Sequence, residues 1–321
     1  MSDTKFFFRV FDGFYIVLVS NGTVALELAY RTLGIEGSAI TSPFSFVATS
    51  SSLVTNGIKP IFADIDSKSF NININKIEKL IEEDTSVIVP VHVFGNSCDV
   101  EKIDAIAKKN NLKVVYDAAH AFGVKFKDKS ILNFGDISTL SFHATKIFHT
   151  IEGGALIIND DSLVEKARYL INFGIKNREE IPELGINAKM NEFEAAMGLC
   201  VLDDINELDL KRSLIYEFYK NELDGFVVFQ EQNCDATPNH SYFPIILKSE
   251  DQLKLVESAL NKSAIFPRRY FYPSLDTLRY IKQNQFCDVS RNIASRVLCL
   301  PIYPGLEIKQ QKLITVQQTT Y

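Results

Sequence analysis

Short apolar runs alternate with amphipathic helical patterns from residue 15 to residue 160, and this alternation restricts the fold more than any other feature of the chain. Tyr15–Val19, Ala39–Thr41, Pro60–Ala63, Val87–Val91, Val114–Tyr116, Ser138–Phe142 and Ala155–Ile158 read as strands. Between them, Thr23–Leu33, Phe46–Asn56, Ile77–Ile81 and Val100–Asn110 read as helices, with Gly34 and Gly57 closing two of them. Strand and helix in turn predict an α/β fold, a mostly parallel mixed sheet covered by helices. Ligands on such sheets bind at the carboxyl ends of the strands. Beyond Phe173 the texture changes to a polar loop (Glu179–Ile186) and one or two long helices over Asn191–Leu223. Short strands (Val227–Phe229, Phe243–Leu247) and a helix (Gln252–Leu260) follow. The expected division is a large domain over 1–200 and a smaller α+β C-terminal domain over 201–321.

Composition narrows the function. With 46% hydrophobic and 23% charged residues in 321, the chain reads as an ordinary soluble globular protein. A net charge of −6 without a basic block argues against nucleic acid as a partner. The apolar start, Met1–Ser20, is broken by Asp3, Lys5, Arg9 and Asp12, unlike a signal peptide or a membrane span. Five cysteines lack CxxC spacing, so reduced thiols in the cytoplasm are expected, and neither a disulfide frame nor a metal site.

Candidate chemistry gathers at the strand ends. In Ser141-Phe-His-Ala-Thr-Lys146 a single lysine sits in a polar turn between two interior strands, ahead of Gly153 and Gly154. Either Lys146 points to solvent from an ordinary hairpin, or it is desolvated, with a lowered pKa and an amine that condenses with an aldehyde. The two glycines would let backbone approach the lysine or a cofactor. Ser20-Asn21-Gly22-Thr23-Val24 is either a plain helix cap or a phosphate cup. Asp117, ending a buried strand, either caps the next helix or meets a protonated pyridine nitrogen, with His120 near a phenolic oxygen or simply packed. Phe46 is either a core residue or a ring stacked on an aromatic cofactor.

In this order, and in these words, the chain resembles the fold-type I pyridoxal phosphate (PLP) enzymes, and among them the DegT/StrS family of sugar-nucleotide aminotransferases. The likeness runs through Ser20-Asn-Gly-Thr-Val-Ala-Leu, Ser42-Pro-Phe-Ser-Phe-Val-Ala-Thr, Asp117-Ala-Ala-His-Ala-Phe-Gly, Ser141-Phe-His-Ala-Thr-Lys, Gly185-Ile-Asn-Ala-Lys-Met-Asn-Glu and Arg268-Arg-Tyr-Phe-Tyr-Pro. It implies Lys146 as the Schiff-base lysine and proton shuttle, Asp117 on the pyridine nitrogen, His120 on the ring hydroxyl and Phe46 on the ring face. Gly22, Thr23, Val24 and Ser141 would hold the phosphate, and Asn187 would reach the same phosphate from the other subunit of a homodimer with shared active sites. Arg268, Arg269 and Tyr272 would belong to the sugar-nucleotide pocket, a structural salt bridge being the other reading of each arginine. Glutamate is the implied amino donor, and PLP cycles with its pyridoxamine form.

The wording is closest to the subgroup that aminates dTDP-4-keto-6-deoxyglucose at C4 for surface polysaccharides such as O-antigen, and close to a neighbouring subgroup that aminates C3-keto sugars. A branch carrying histidine in place of the lysine deoxygenates the sugar instead, and Lys146 speaks against it. Met1–Gly13 cannot supply the helix and loop that family members carry ahead of the first strand, and Thr315–Tyr321 lacks their closing helix pattern. These departures predict a weaker dimer or reduced activity, with an inactive PLP-binding remnant as the alternative.

Overall fold

The computed structural model describes residues 15–281 and 285–320. The expected shortfall ahead of Tyr15 lies outside the described residues. Strands β1 (Tyr15–Val19), β2 (Ser38–Thr41), β3 (Lys59–Phe62), β4 (Thr85–Val89), β5 (Lys113–Asp117), β8 (Ile137–Ser141) and β9 (Gly154–Ile158) form one sheet in the order β1-β9-β8-β5-β4-β2-β3. Strand β9 runs antiparallel to both neighbours while the other pairings are parallel, which makes the sheet mixed. A small hairpin, β6 (Lys125–Phe126) and β7 (Lys129–Ser130), stands apart. Both sheet faces are apolar and buried, one against Ile103, Phe142 and Phe148, the other against Leu26, Leu28 and Tyr30.

The helices follow from caps and periodicity. Helix α1 (Gly22–Leu33) starts where the Asn21 side chain accepts the Val24 N–H, and ends at left-handed Gly34. Helix α2 is shorter than expected, Ala48–Thr55, because Phe46 and Val47 form the turn that enters it. Around Ile77 the helix α3 (Ile74–Ile77) begins earlier, where Asn73 caps it, and passes into a 3-10 turn at Glu78–Leu80. Helix α4 spans Val100–Asn110, and α5 spans Val164–Leu170.

One continuous helix, α6 (Glu192–Leu223), opens on an Asn191/Glu194 capping box. It runs straight through position 200. Val201 and Leu208 pack on the core of the large sheet, whereas Ile215, Tyr219 and Leu223 pack on a second core. That second core lies on β10 (Val228–Phe229), β11 (Phe243–Ile246) and β12 (Val297–Leu300), an antiparallel sheet covered by α7 (Glu250–Lys262). Helix α8 (Asp288–Arg296) leads into β12.

The chain closes on a helix after all, α9 (Ile308–Thr320). Its sequence is rich in β-branched and polar residues, which is why its pattern reads weakly. Burial of Gln311, Ile314 and Thr315 along one face, with α6 and α7 alongside, overrides that low propensity. All five cysteines are free, and no helix among the described residues is long and apolar enough to cross a membrane.

Candidate active site

The carboxyl ends of β1, β2, β5 and β8, with the turn from β8 to β9, surround a cavity of about 180 Å³. Asn21, Gly22, Thr23, Phe46, Asp117, His120, Ser141 and Lys146 line it. Backbone fit brings the first turn of α1 so close. A Cβ on Gly22 would stand 2.7 Å from the Ser141 Cβ, and one on Gly154 would stand 2.7 Å from the Asn21 carbonyl. Gly154 thus admits the Asn21 turn rather than the lysine, and Gly153 faces Thr150 and Met190. Since Asn21 takes the Val24 N–H at 2.9 Å and its carbonyl the Ala25 N–H, Gly22 and Thr23 keep amides without an intrahelical acceptor beside the Ser141 side chain. Val24, expected in the cup, spends its amide on the cap and stays outside the cavity lining.

Asp117 is only 5% exposed. Its Oδ2 accepts the Thr49 hydroxyl at 2.7 Å and its Oδ1 the Ala119 N–H at 3.2 Å. Burial pushes this carboxyl up, while those hydrogen bonds and the Lys146 charge pull it back. A buried carboxylate facing a cavity calls for a cation or donor there. His120 accepts the Phe94 N–H on Nδ1 at 3.3 Å, so its neutral ring carries the proton on Nε2. Burial, and secondarily the Lys146 charge, hold its pKa well below the usual histidine range. Phe271 stacks parallel to that ring at 5.6 Å, and Tyr242 leans on it at 4.7 Å.

Lys146 does not point to open solvent. It is half-buried, and its Nζ donates to the Tyr242 hydroxyl at 3.3 Å. Burial brings its pKa down to about 8, with the Arg268 charge pushing the same way and Asp117 opposing. A free amine near neutrality, a buried carboxylate, a neutral imidazole and a helix N-terminus make a set that fits a phosphorylated pyridine aldehyde. Phe46 is 51% exposed at the rim, a ring face available to a flat ligand rather than a core residue.

The remaining candidates lie apart. Asn187 is exposed, bonds Lys189 Nζ at 2.9 Å, and is absent from this cavity. Arg269 Nη2 bonds Glu250 at 3.0 Å and its guanidinium lies 3.8 Å from the centre of the Tyr272 ring, so this pair makes a structural bridge outside the cavity. Arg268 is exposed and turns toward a second, neighbouring cavity. Three site residues escape a reading by motif. Thr49 ends the quoted Ser42–Thr49 stretch, and the sequence signals no partner for it. Tyr242 comes from a distant segment without a local signature, and Phe271, inside the quoted Arg268-Arg-Tyr-Phe-Tyr-Pro stretch, carries no sign that it meets His120.

Known proteins share this sequence and this fold. The profile described as "DegT/DnrJ/EryC1/StrS aminotransferase family" matches residues 7–317. A dTDP-4-amino-4,6-dideoxy-D-glucose transaminase of Shigella dysenteriae is 46% identical over 299 residues, covering 91% of this chain and 82% of that protein. A GDP-perosamine synthase of Escherichia coli O157:H7 is 31% identical over 300 residues, covering 92% and 82%. Among solved structures, DesI in the presence of its TDP-sugar product superposes with a TM-score of 0.93 at 28% identity, covering 99% of this chain and 83% of that one. With a family match across nearly its whole length, this chain belongs to the DegT/DnrJ/EryC1/StrS aminotransferases.

Proposed function

We propose that the chain transfers the amino group of glutamate to the C4 ketone of a dTDP-linked 4-keto-6-deoxyhexose. The products are 2-oxoglutarate and a 4-amino-4,6-dideoxy sugar nucleotide. The observation that carries this reading is the 46% identity to a dTDP-4-amino-4,6-dideoxy-D-glucose transaminase, together with the lysine and buried aspartate converging on one cavity. PLP, the cofactor of this family, supplies when bound an aldehyde that takes an amino group from an amino acid and yields it to a ketone, its ring acting as electron sink.

The chain's own residues set the conditions. Gly22 and Thr23 amides with Ser141 would hold the phosphate, and Asp117 would keep a ring nitrogen protonated. His120 would offer its Nε2 proton to the ring hydroxyl, and Phe46 would cover a ring face. Lys146 would take up and return the transferred proton at its Nζ. With a pKa of about 8, roughly a tenth of it is neutral at pH 7, and that fraction rises steeply with pH. The hydroxyl of Tyr242 orients that amine.

The same reading takes the working form to be a homodimer. Phe173, Ile181, Leu184 and Phe193 are exposed and lie near Asn187 in sequence, where a second copy would cover them. Asn187 would then complete the phosphate cup across the interface. A two-domain division falls within α6, where its packing passes from one core to the other. Five free cysteines suit a cytoplasmic enzyme, and the product suits surface polysaccharides such as O-antigen.

The test is direct. Holoenzyme, glutamate and either dTDP-4-keto-6-deoxyglucose, its 3-keto isomer or a GDP-linked 4-keto sugar are incubated, and the amine product is identified by mass spectrometry. Amination of the dTDP 4-keto sugar at a kcat/KM at least tenfold above the other two is expected. A preference for the 3-keto sugar would overturn the C4 assignment.

A further inference from the structure

Helix α2 is rich in hydroxyls, and one of them behaves unlike its neighbours. Ser50, Ser52 and Thr55 donate to carbonyls three residues back, at 3.2–3.3 Å. Thr49, fully buried, crosses instead to the sheet and donates to Asp117 Oδ2 at 2.7 Å. Next in line stands Ser45, also buried, with its Oγ 2.7 Å from the Thr49 Oγ1. Proton counting fixes the direction of this chain. An ionised carboxylate only accepts, so Thr49 gives it its single proton, and Ser45 must then give its own to Thr49. The other bond to the carboxylate comes from the Ala119 N–H on Oδ1. Lys146, whose Nζ bonds the Tyr242 hydroxyl, acts on Asp117 through space. Burial pushes the Asp117 carboxyl up, and the Thr49 bond is the largest of the influences that pull it back.

We infer that Thr49 and Ser45 are positioning residues that act through Asp117, holding its carboxylate ionised and aimed into the cavity so that a pyridine nitrogen bound there keeps its proton. A hydrogen bond to a charged acceptor is stronger than one between neutral groups, and a dry site strengthens it further. The second hydroxyl polarises the first, which is what a chain of two adds over one. Valine at position 49 would fill nearly the same space without the proton, and the carboxyl would then shift towards its neutral form. A neutral Asp117 keeps its shape but no longer attracts a pyridinium. The inference rests on the placing of Asp117 at the cofactor's ring nitrogen. It goes beyond that placing by assigning control of the nitrogen's proton to two hydroxyls on the neighbouring α2 segment.

The test compares two ligands in equilibrium titrations of the cofactor-free protein: PLP, and its 1-deaza analogue, in which carbon replaces the ring nitrogen. The parent is expected to favour PLP by about tenfold or more. Thr49→Val is expected to lose about tenfold in PLP affinity and less than about threefold in affinity for the analogue. Thr49→Ser, which restores the hydroxyl, is expected to keep the parent's preference, and Ser45→Ala to reduce it about threefold. Equal losses for both ligands in Thr49→Val would mark a packing role and overturn the inference. An unaltered preference in Ser45→Ala would overturn it too, even if Thr49→Val fails to fold. A parent that binds both ligands alike would remove Asp117 from the ring nitrogen, and the inference with it. A parent and a Thr49→Val variant that discriminate equally would sink the inference alone.

Discussion

At the scale of single residues, the chemistry depends on what burial does to charge. Lys146 is held down to about 8 from 10.5, so between those values the unfolded chain binds more protons than the folded one. The penalty for folding around a charged Lys146 is therefore full below pH 8 and is relieved as pH rises towards 10.5. At most about 3 kcal/mol is at stake, less the attraction to Asp117 that is lost with the lysine. Lys146→Met should abolish transamination, and the cofactor-free variant should be more stable than the parent at pH 7. The gap should narrow by pH 9.5. Urea denaturation of both proteins at the two pH values measures it, and a gap independent of pH would refute the assignment. His120 shows a quieter control, since the Phe94 amide rather than any charge selects which ring nitrogen keeps the proton.

At the scale of elements, the proposed phosphate cup is a meeting of two backbones. The α1 terminus and the end of β8 approach so closely that Gly22 is a spatial requirement, not a conformational one. Gly22→Ala should push these segments apart and weaken PLP affinity about tenfold, a loss of about 1.4 kcal/mol. Equilibrium titration of the cofactor-free variant checks this, and an unchanged affinity would mean that the phosphate lies elsewhere. A comparable junction fixes α8. Asp64, 5% exposed after β3, accepts the Val289 and Ser290 N–H groups at the start of α8 and pairs with Lys76 at 3.3 Å. Removing it leaves the buried Ser290 N–H and the part-buried Val289 N–H unmet, so Asp64→Ala should cost about 2–4 kcal/mol in chemical denaturation. A loss under about 1 kcal/mol would show that water replaces the carboxylate there.

At the scale of the whole molecule, the two sheets are joined by α6, and the site draws on both. Tyr242 and Phe271 come from the C-terminal part and close on His120 and Lys146 from the large sheet. In the proposed dimer, the exposed apolar residues around Phe193, itself 89% exposed, would be covered by the second copy. Phe193→Glu should convert a dimer to monomer by light scattering and reduce turnover with it. Full turnover in a monomer would remove the shared-site arrangement, and Asn187 with it.

Much of this was legible in residue order. Alternating apolar runs specify the mostly parallel sheet, because buried strands and their covering helices differ in period. The words around Lys146, Asp117 and Gly22 mark their places at the carboxyl ends of those strands. Val24 and Arg269 looked equally good in the same words. Only the fold shows that a cap takes the Val24 amide and that Glu250 takes the Arg269 guanidinium. The closing helix α9 was missed because its stability lies in what it packs against, not in its propensity. Thr49 reaches Asp117 across 68 residues and Tyr242 reaches Lys146 across 96. No periodicity spans such distances, so the sequence by itself determined which groups are present and on which elements. Tertiary packing decided which of them are dry, which are paired, and which amine is therefore free to react.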